Sequence, residues 1–179
     1  MNEIDVLKTV CKRLSDSKIS YMISGSVALS FYSEPRMTRD IDIVININAR
    51  DIDKMMRLFE NDFYIDREML ENAVQNQTMF NIINLEALIK IDFIIRKNEI
   101  YRIEEFKNRK KVKLHDAEIY IVAIEDLIVS KLYWAKDSYS EIQLRDIKNL
   151  IKADFDLEYV KKWCKHLGLE NVLGKTLNE

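Results

Sequence analysis

Apolar residues in this chain keep two different periods. Near the start, Ile4, Leu7, Val10, Cys11 and Leu14 recur at three- and four-residue steps, which predicts an amphipathic helix over residues 3–16. SYMIS (20–24) reads as a short strand ending at Gly25, and SVALSFYS as a helix that begins directly after the glycine. Pro35 closes the turn that follows. The period then drops to two. Over residues 40–48, Ile41, Ile43, Ile45 and Ile47 share one face of a strand, while Asp40, Asp42 and Val44 share the other. Helices are expected over 49–61 and 67–76, then two strands paired as a hairpin over 78–86 and 88–96. A helix over 100–108 and two short strands, KVKLH and EIYIV, come next. From Ile124 onward the period is helical, over 124–136, 139–152, 156–167 and a weaker tail. The expectation is an α+β fold. A mixed β-sheet core over 1–123 is covered by helices on one face, and 124–179 form a C-terminal helical bundle.

Composition narrows the chemistry. The 179 residues are 47% hydrophobic and 32% charged, an ordinary globular balance. Apolar runs are short and broken by charge, so no membrane span is expected. The first residues carry acids and lack an apolar block, so they do not read as a secretion signal, and a cytoplasmic location is expected. Cys11 and Cys164 fall on apolar helical stripes and read as buried, reduced thiols. His115 and His166 are too few and too dispersed for a zinc site or a Ser/His triad. A net charge of −2 does not describe an overall nucleic-acid binder. The basic run KNRKKVK (107–113) reads either as a solvated helix end entering an exposed strand or as a phosphate-tracking patch.

Backbone freedom is concentrated in one place. There are three glycines and one proline, and Gly25 and Pro35 stand ten positions apart in ISGSVALSFYSEPRMTRDIDIVI. A strand–Gly–Ser–helix junction presents helix N–H groups, and a missing side chain lets a phosphate approach the backbone. Fifteen residues after Gly25 begins the D-x-D strand with Asp40 and Asp42. In LIKIDFII, Ile89, Ile91, Phe93 and Ile95 share one face, with Lys90 and Asp92 on the other. A sheet packed on one side therefore gathers Asp40, Asp42 and Asp92 on its open face. Three crowded carboxylates call for a cation. Mg²⁺ suits them, and two such ions about 4 Å apart would clamp the attacking and leaving oxygens of a phosphoryl or nucleotidyl transfer. The structural alternative for any one of these acids is that it simply ends a buried run.

These residues resemble the DNA polymerase β-like nucleotidyltransferase superfamily. PRMTRDIDIVI, EDLIVSKL and QLRDIKNLI are similar, more closely, to AbiEii-type toxin nucleotidyltransferases and their small bacterial relatives, over roughly residues 20–151. The resemblance implies a nucleotidyltransferase core, two Mg²⁺ ions, and transfer of a nucleoside monophosphate from an NTP to an acceptor hydroxyl on tRNA or protein, with a cognate antitoxin as a possible partner. It implies that Gly25 and Ser26 hold the triphosphate, that Asp40 and Asp42 bind metal, and that Asp92 binds the catalytic metal and helps deprotonate the acceptor. Lys131 falls on the apolar stripe of Ile124, Leu127, Ile128, Leu132 and Ala135. It either snorkels to water or meets the triphosphate, as a lysine of the SKL motif does in the related enzymes. Asp146 either contacts nucleotide, positions Lys131 or sits solvated beside Arg145. Arg39 and Arg36 either neutralise phosphate or offset Asp40, and Thr38 either caps the strand entry or contacts phosphate. Tyr133, Trp134 and Tyr139 are expected to pack the helix hairpin, a base-stacking platform being the other reading. The competing functions are modification of a small molecule such as an aminoglycoside, and a non-catalytic nucleotide-binding or antitoxin-like protein of the same fold.

Overall fold

The computed structural model describes residues 2–34, 40–138 and 140–178. Its elements are α1 (Glu3–Asp16), β1 (Ser20–Ile23), α2 (Gly25–Leu29), β2 (Asp40–Asn46), a 3₁₀ turn (Ala49–Asp51), α3 (Ile52–Phe59), β3 (Phe63–Ile65) and α4 (Arg67–Asn76). Then follow β4 (Met79–Asn84), β5 (Lys90–Ile95), α5 (Ile100–Lys107), β6 (Lys110–Leu114), β7 (Ala117–Ile121), α6 (Ile124–Ser138), α7 (Glu141–Leu150), α8 (Leu157–Leu167) and α9 (Glu170–Asn178).

Among the described residues the strands form one seven-stranded sheet in the order β3-β4-β5-β2-β1-β7-β6. It is mixed: β2 runs parallel to β5 and β1 parallel to β7, while the other neighbours are antiparallel. The alternation in β2 does what its period requires, burying Ile41, Ile43 and Ile45 and leaving Asp40 and Asn46 exposed. The hairpin of β4 and β5 forms as expected. One strand escapes the sequence reading. β3 has three residues, too few to display a period, and pairs only with β4 at the sheet edge.

Helix ends follow their local chemistry. Asn2 and Asp5 form a capping box on α1, Asp66 accepts from the Met69 N–H at 2.8 Å, and Asp156 accepts from the Tyr159 N–H at 3.0 Å. Gly168 closes α8 in the left-handed conformation. The helix after Gly25 is shorter than expected, because the Ser30 hydroxyl and N–H both turn back onto Val27 O. The turn assigned to Pro35 lies outside the described residues.

One hydrophobic cluster runs from α1 through the sheet into α6–α9. Phe59, Phe63, Phe80 and Phe93 stack through it with centroids 5.3–5.7 Å apart. Cys11 and Cys164 are buried and unbridged, and desolvation pushes both thiols up to about 12. The basic run is an edge-strand device: Lys111 pairs with Glu118 at 2.6 Å, and Arg109 stacks on Phe106 and Tyr120. Tyr133 packs against Arg102 and Lys136, but Trp134 is 68% exposed, against the expectation that it fills the α6–α7 hairpin. Tyr139 lies outside the described residues. Among the described residues no helix is long and apolar enough to cross a membrane.

Candidate functional site

The site begins with register. β2 and β5 pair in parallel so that Asp42 stands opposite Asp92, and Asp40 opposite Lys90. On the far side of β5, Asn81 of β4 stands opposite Asp92. On the far side of β2, the Ser24 N–H donates to Asp42 O at 2.9 Å, which extends the β1 pairing by one residue. Asn81, Asp92, Asp42 and Ser24 thus make one row across four strands. Two acids 50 residues apart are brought side by side at the spacing of neighbouring strands, about 5 Å.

Gly25 has a role that the sequence reading assigned differently. Its φ is +60°, and a Cβ there would lie 2.0 Å from Asp42 Oδ2. The missing side chain therefore first makes room for the Asp42 carboxylate. Ser24 makes no side-chain cap on α2, and Ser26 is buried just inside the helix.

The electrostatics are uneven. Burial and the neighbouring charges of Asp92 and Asp40 push the Asp42 carboxyl up to about 6, against the pull of Lys131 and Lys90. Asp92 is buried, and its Oδ1 has no hydrogen-bond partner among the described residues. Its Oδ2 lies 2.9 Å from Lys90 Nζ, which also reaches Asp40 Oδ1 at 3.4 Å. No three carboxylate, imidazole or thiol groups among the described residues converge as a ready-made metal cage; the Lys90 ammonium stands between Asp40 and Asp92. The donor set still fits a hard divalent cation, with an orphaned buried oxygen on Asp92 and a carboxyl on Asp42 held up by burial and like charge.

The helices close on this row from one side. Lys131 does not snorkel: it is 4% exposed, and its ammonium donates to Asp146 Oδ2 at 2.8 Å and to Gln143 Oε1 at 3.3 Å. Asp146 is 1% exposed, so it is no solvated surface acid. Asp146 engages Lys131 directly, the contact that its positioning alternative needs. Arg36, Thr38 and Arg39 lie outside the described residues. Lys90, Asn81 and Gln143 are the neighbours that sequence reasoning left without a role. Strand alternation already puts Lys90 on the acid face, but only the pairing of β2 with β5 gives it Asp40 as a partner. A groove of about 640 Å³, lined by Asn46, Asn48, Gln75 and Arg96 among others, lies at the opposite ends of β2 and β5. Its Arg96 is already engaged by Asn46 and Asn98.

Neither a protein-family model nor a curated protein matches the sequence. Solved structures do match the fold. An antigenic nucleotidyltransferase-like protein from Paracoccidioides brasiliensis aligns over 98% of this chain and 91% of its own, with a TM-score of 0.59 at 15% identity. The antibiotic-resistance factor ANT(2'')-Ia aligns over 98% and 96%, with a TM-score of 0.58 at 10% identity. The lincosamide antibiotic adenylyltransferase LnuA, in its lincomycin-bound form, aligns over 84% and 97%, with a TM-score of 0.54 at 14% identity. At these identities the likeness establishes a nucleotidyltransferase-like fold.

Proposed function

We propose that this protein is a metal-dependent nucleotidyltransferase that moves a nucleoside monophosphate from an NTP to an acceptor hydroxyl. The observation that carries the reading is the register of β2 and β5, which sets Asp42 beside Asp92 on a face bounded by Gly25 and the buried Lys131. Asp40, Asp42 and Asp92 would hold two Mg²⁺ ions. When bound, such ions neutralise phosphate charge and stabilise the attacking and leaving oxygens of an in-line displacement. Gly25 and Ser26 at the start of α2 face the triphosphate, and Lys131, held by Asp146 and Gln143, supplies positive charge to it. Asp92 accepts the acceptor's proton through a carboxylate oxygen that is buried without a partner. The acceptor oxygen then bonds to the α-phosphorus as the bond to the β-phosphate oxygen breaks, and pyrophosphate leaves. Use of an NTP fits a cytoplasmic location.

The motif resemblance favours tRNA or protein as acceptor, with an antitoxin as the natural counterpart. A specific observation favours a second reading, a small hydroxylated molecule. The chain aligns with 97% of a lincosamide adenylyltransferase and 96% of ANT(2'')-Ia, which has been solved with adenylyl-2''-tobramycin. One experiment separates them: incubation with Mg²⁺ and each α-labelled NTP, with total tRNA, cell extract, the protein itself, lincomycin and tobramycin, beside Asp42→Asn. Label in one acceptor, absent with the variant, is the expected result. Equal labelling by Asp42→Asn would overturn the reading, and Mg²⁺-dependent NTP binding without label in any acceptor would favour a non-catalytic binder.

A further inference from the structure

Among the described residues, Lys90 is a cation that touches two of the three acids. Its Nζ lies 2.9 Å from Asp92 Oδ2 and 3.4 Å from Asp40 Oδ1. The contact is built by strand geometry twice over. Lys90 precedes Asp92 by two residues on the same face of β5, and it stands in register opposite Asp40 on β2. The two partners differ in burial, the Asp92 side chain being 8% exposed and the Asp40 side chain 53%. Lys131, a second cation near the row among the described residues, is held by Asp146. Lys90 is therefore the principal charge compensation for Asp92, and it satisfies only one of that carboxylate's two oxygens.

We infer that Lys90 is a built-in counter-cation of the acid row, which holds Asp40 and Asp92 until nucleotide arrives and thereby makes metal binding depend on nucleotide. The inference rests on the nucleotidyltransferase reading above. An ammonium and a divalent cation repel each other and compete for the same carboxylate oxygens, so metal alone must displace Lys90 with nothing to receive it. Metal arriving with a triphosphate brings its own acceptors for the displaced ammonium. Lys90 can make that move because its side chain is 39% exposed and its ammonium rides on a flexible four-carbon stem. Asp42 has no such lysine opposite it, since its register partner is Asp92. The device is thus confined to the Asp40–Asp92 side of the row.

The test is Mn²⁺ titration, followed by electron paramagnetic resonance, with and without α,β-methylene nucleotides. It uses wild type, Lys90→Met, Lys90→Arg and Asp42→Asn, each first shown to be folded by its thermal transition. Lys90→Met is expected to bind Mn²⁺ alone about tenfold more tightly than wild type, and the gap to narrow to less than about threefold with nucleotide present. Lys90→Arg, which keeps the charge, is expected to stay near wild type. If Lys90→Met gains nothing while Asp42→Asn still weakens nucleotide-supported Mn²⁺ binding, the counter-cation is overturned and the metal site stands. If wild type binds no Mn²⁺ even with nucleotide, or Asp42→Asn binds it equally, the nucleotidyltransferase reading fails, and this inference with it.

Discussion

Two acidic clusters sit in this molecule, and they are finished differently. On the helices, Asp126 accepts from the Tyr159 hydroxyl at 2.8 Å and from Asn108 Nδ2 at 3.4 Å. Glu105 beside it accepts from Ser130 at 2.6 Å and from Arg102 at 2.9 Å. That network ties α5, α6 and α8 together, and every carboxylate oxygen in it has a donor. On the strands, Asp92 keeps an oxygen without a partner among the described residues, and Asp42 presses against a glycine that can offer it no side chain. Burial pushes both Asp42 and Asp126 up to about 6. A raised carboxyl is therefore common to both clusters and distinguishes neither. What separates them is satisfaction: the helical cluster is a structural clasp, and the strand cluster keeps the open oxygen that the proposed function needs.

The sharpest way to break this comparison is to neutralise one acid in each cluster. Asp42→Asn is expected to lower nucleotidyl transfer by roughly a thousandfold or more, since it removes a ligand of charge stabilisation worth several kcal/mol. Its melting temperature should hold or rise, because a like-charge contact is relieved. Asp126→Ala is expected to do the reverse, costing about 1–3 kcal/mol of stability by leaving the Tyr159 O–H without its acceptor, while folded protein keeps transfer within a few-fold. Label transfer and thermal melting, measured on both variants, decide it. Similar losses of transfer in the two would dissolve the distinction.

Lys131 joins the two regions, being carried on α6 and acting on Asp42. Lys131→Ala leaves Asp146 buried without this partner, at an expected cost of about 3–5 kcal/mol. Lys131→Met with Asp146→Leu should recover most of that stability in denaturant melts and still show a raised KM for NTP. Recovery of both stability and KM would make the pair purely structural.

A pH titration sharpens the likeness of the clusters. Each raised carboxyl keeps its proton in the folded state to about pH 6, whereas the unfolded chain loses it near 3.8. The folded state thus binds more protons between those values, and stability falls as pH rises through that window. The loss is at most about 3 kcal/mol for each group, and stability levels off above pH 6. Asp42→Asn and Asp126→Asn should each flatten part of that decline in melts taken from pH 4 to 7. A decline unchanged in both variants would reassign it to other groups.

Gly25→Ala is expected to cost about 1–2 kcal/mol of stability from the left-handed backbone. Its loss of transfer should be larger, because the new Cβ must push the Asp42 carboxylate aside. Full activity in this variant would show that the carboxylate position is not needed.

Much of this was written locally. Alternation in 40–48 and 88–96 separates the isoleucine face from the acid face, because a strand has a period of two whatever it pairs with. The capping residues and the single Gly-Ser junction are likewise local, and so is the helical period after Ile124. The short β3 carries no period and was invisible. The sequence leaves the depth of Lys131 and Asp146 open, because an ammonium on an apolar stripe can reach water or a buried carboxylate, and only the α6–α7 packing decides which. Exposure of Trp134 was decided in the same way.

The sequence by itself determined which residues share a face, since that follows from backbone geometry over a few positions. Only the tertiary structure decided which faces meet. Parallel pairing of β2 with β5 put Asp42 beside Asp92 and Lys90 beside Asp40, and the return of β1 put Gly25 under Asp42. Register between strands 50 residues apart is fixed by how the whole apolar face packs, and no local rule reaches that far.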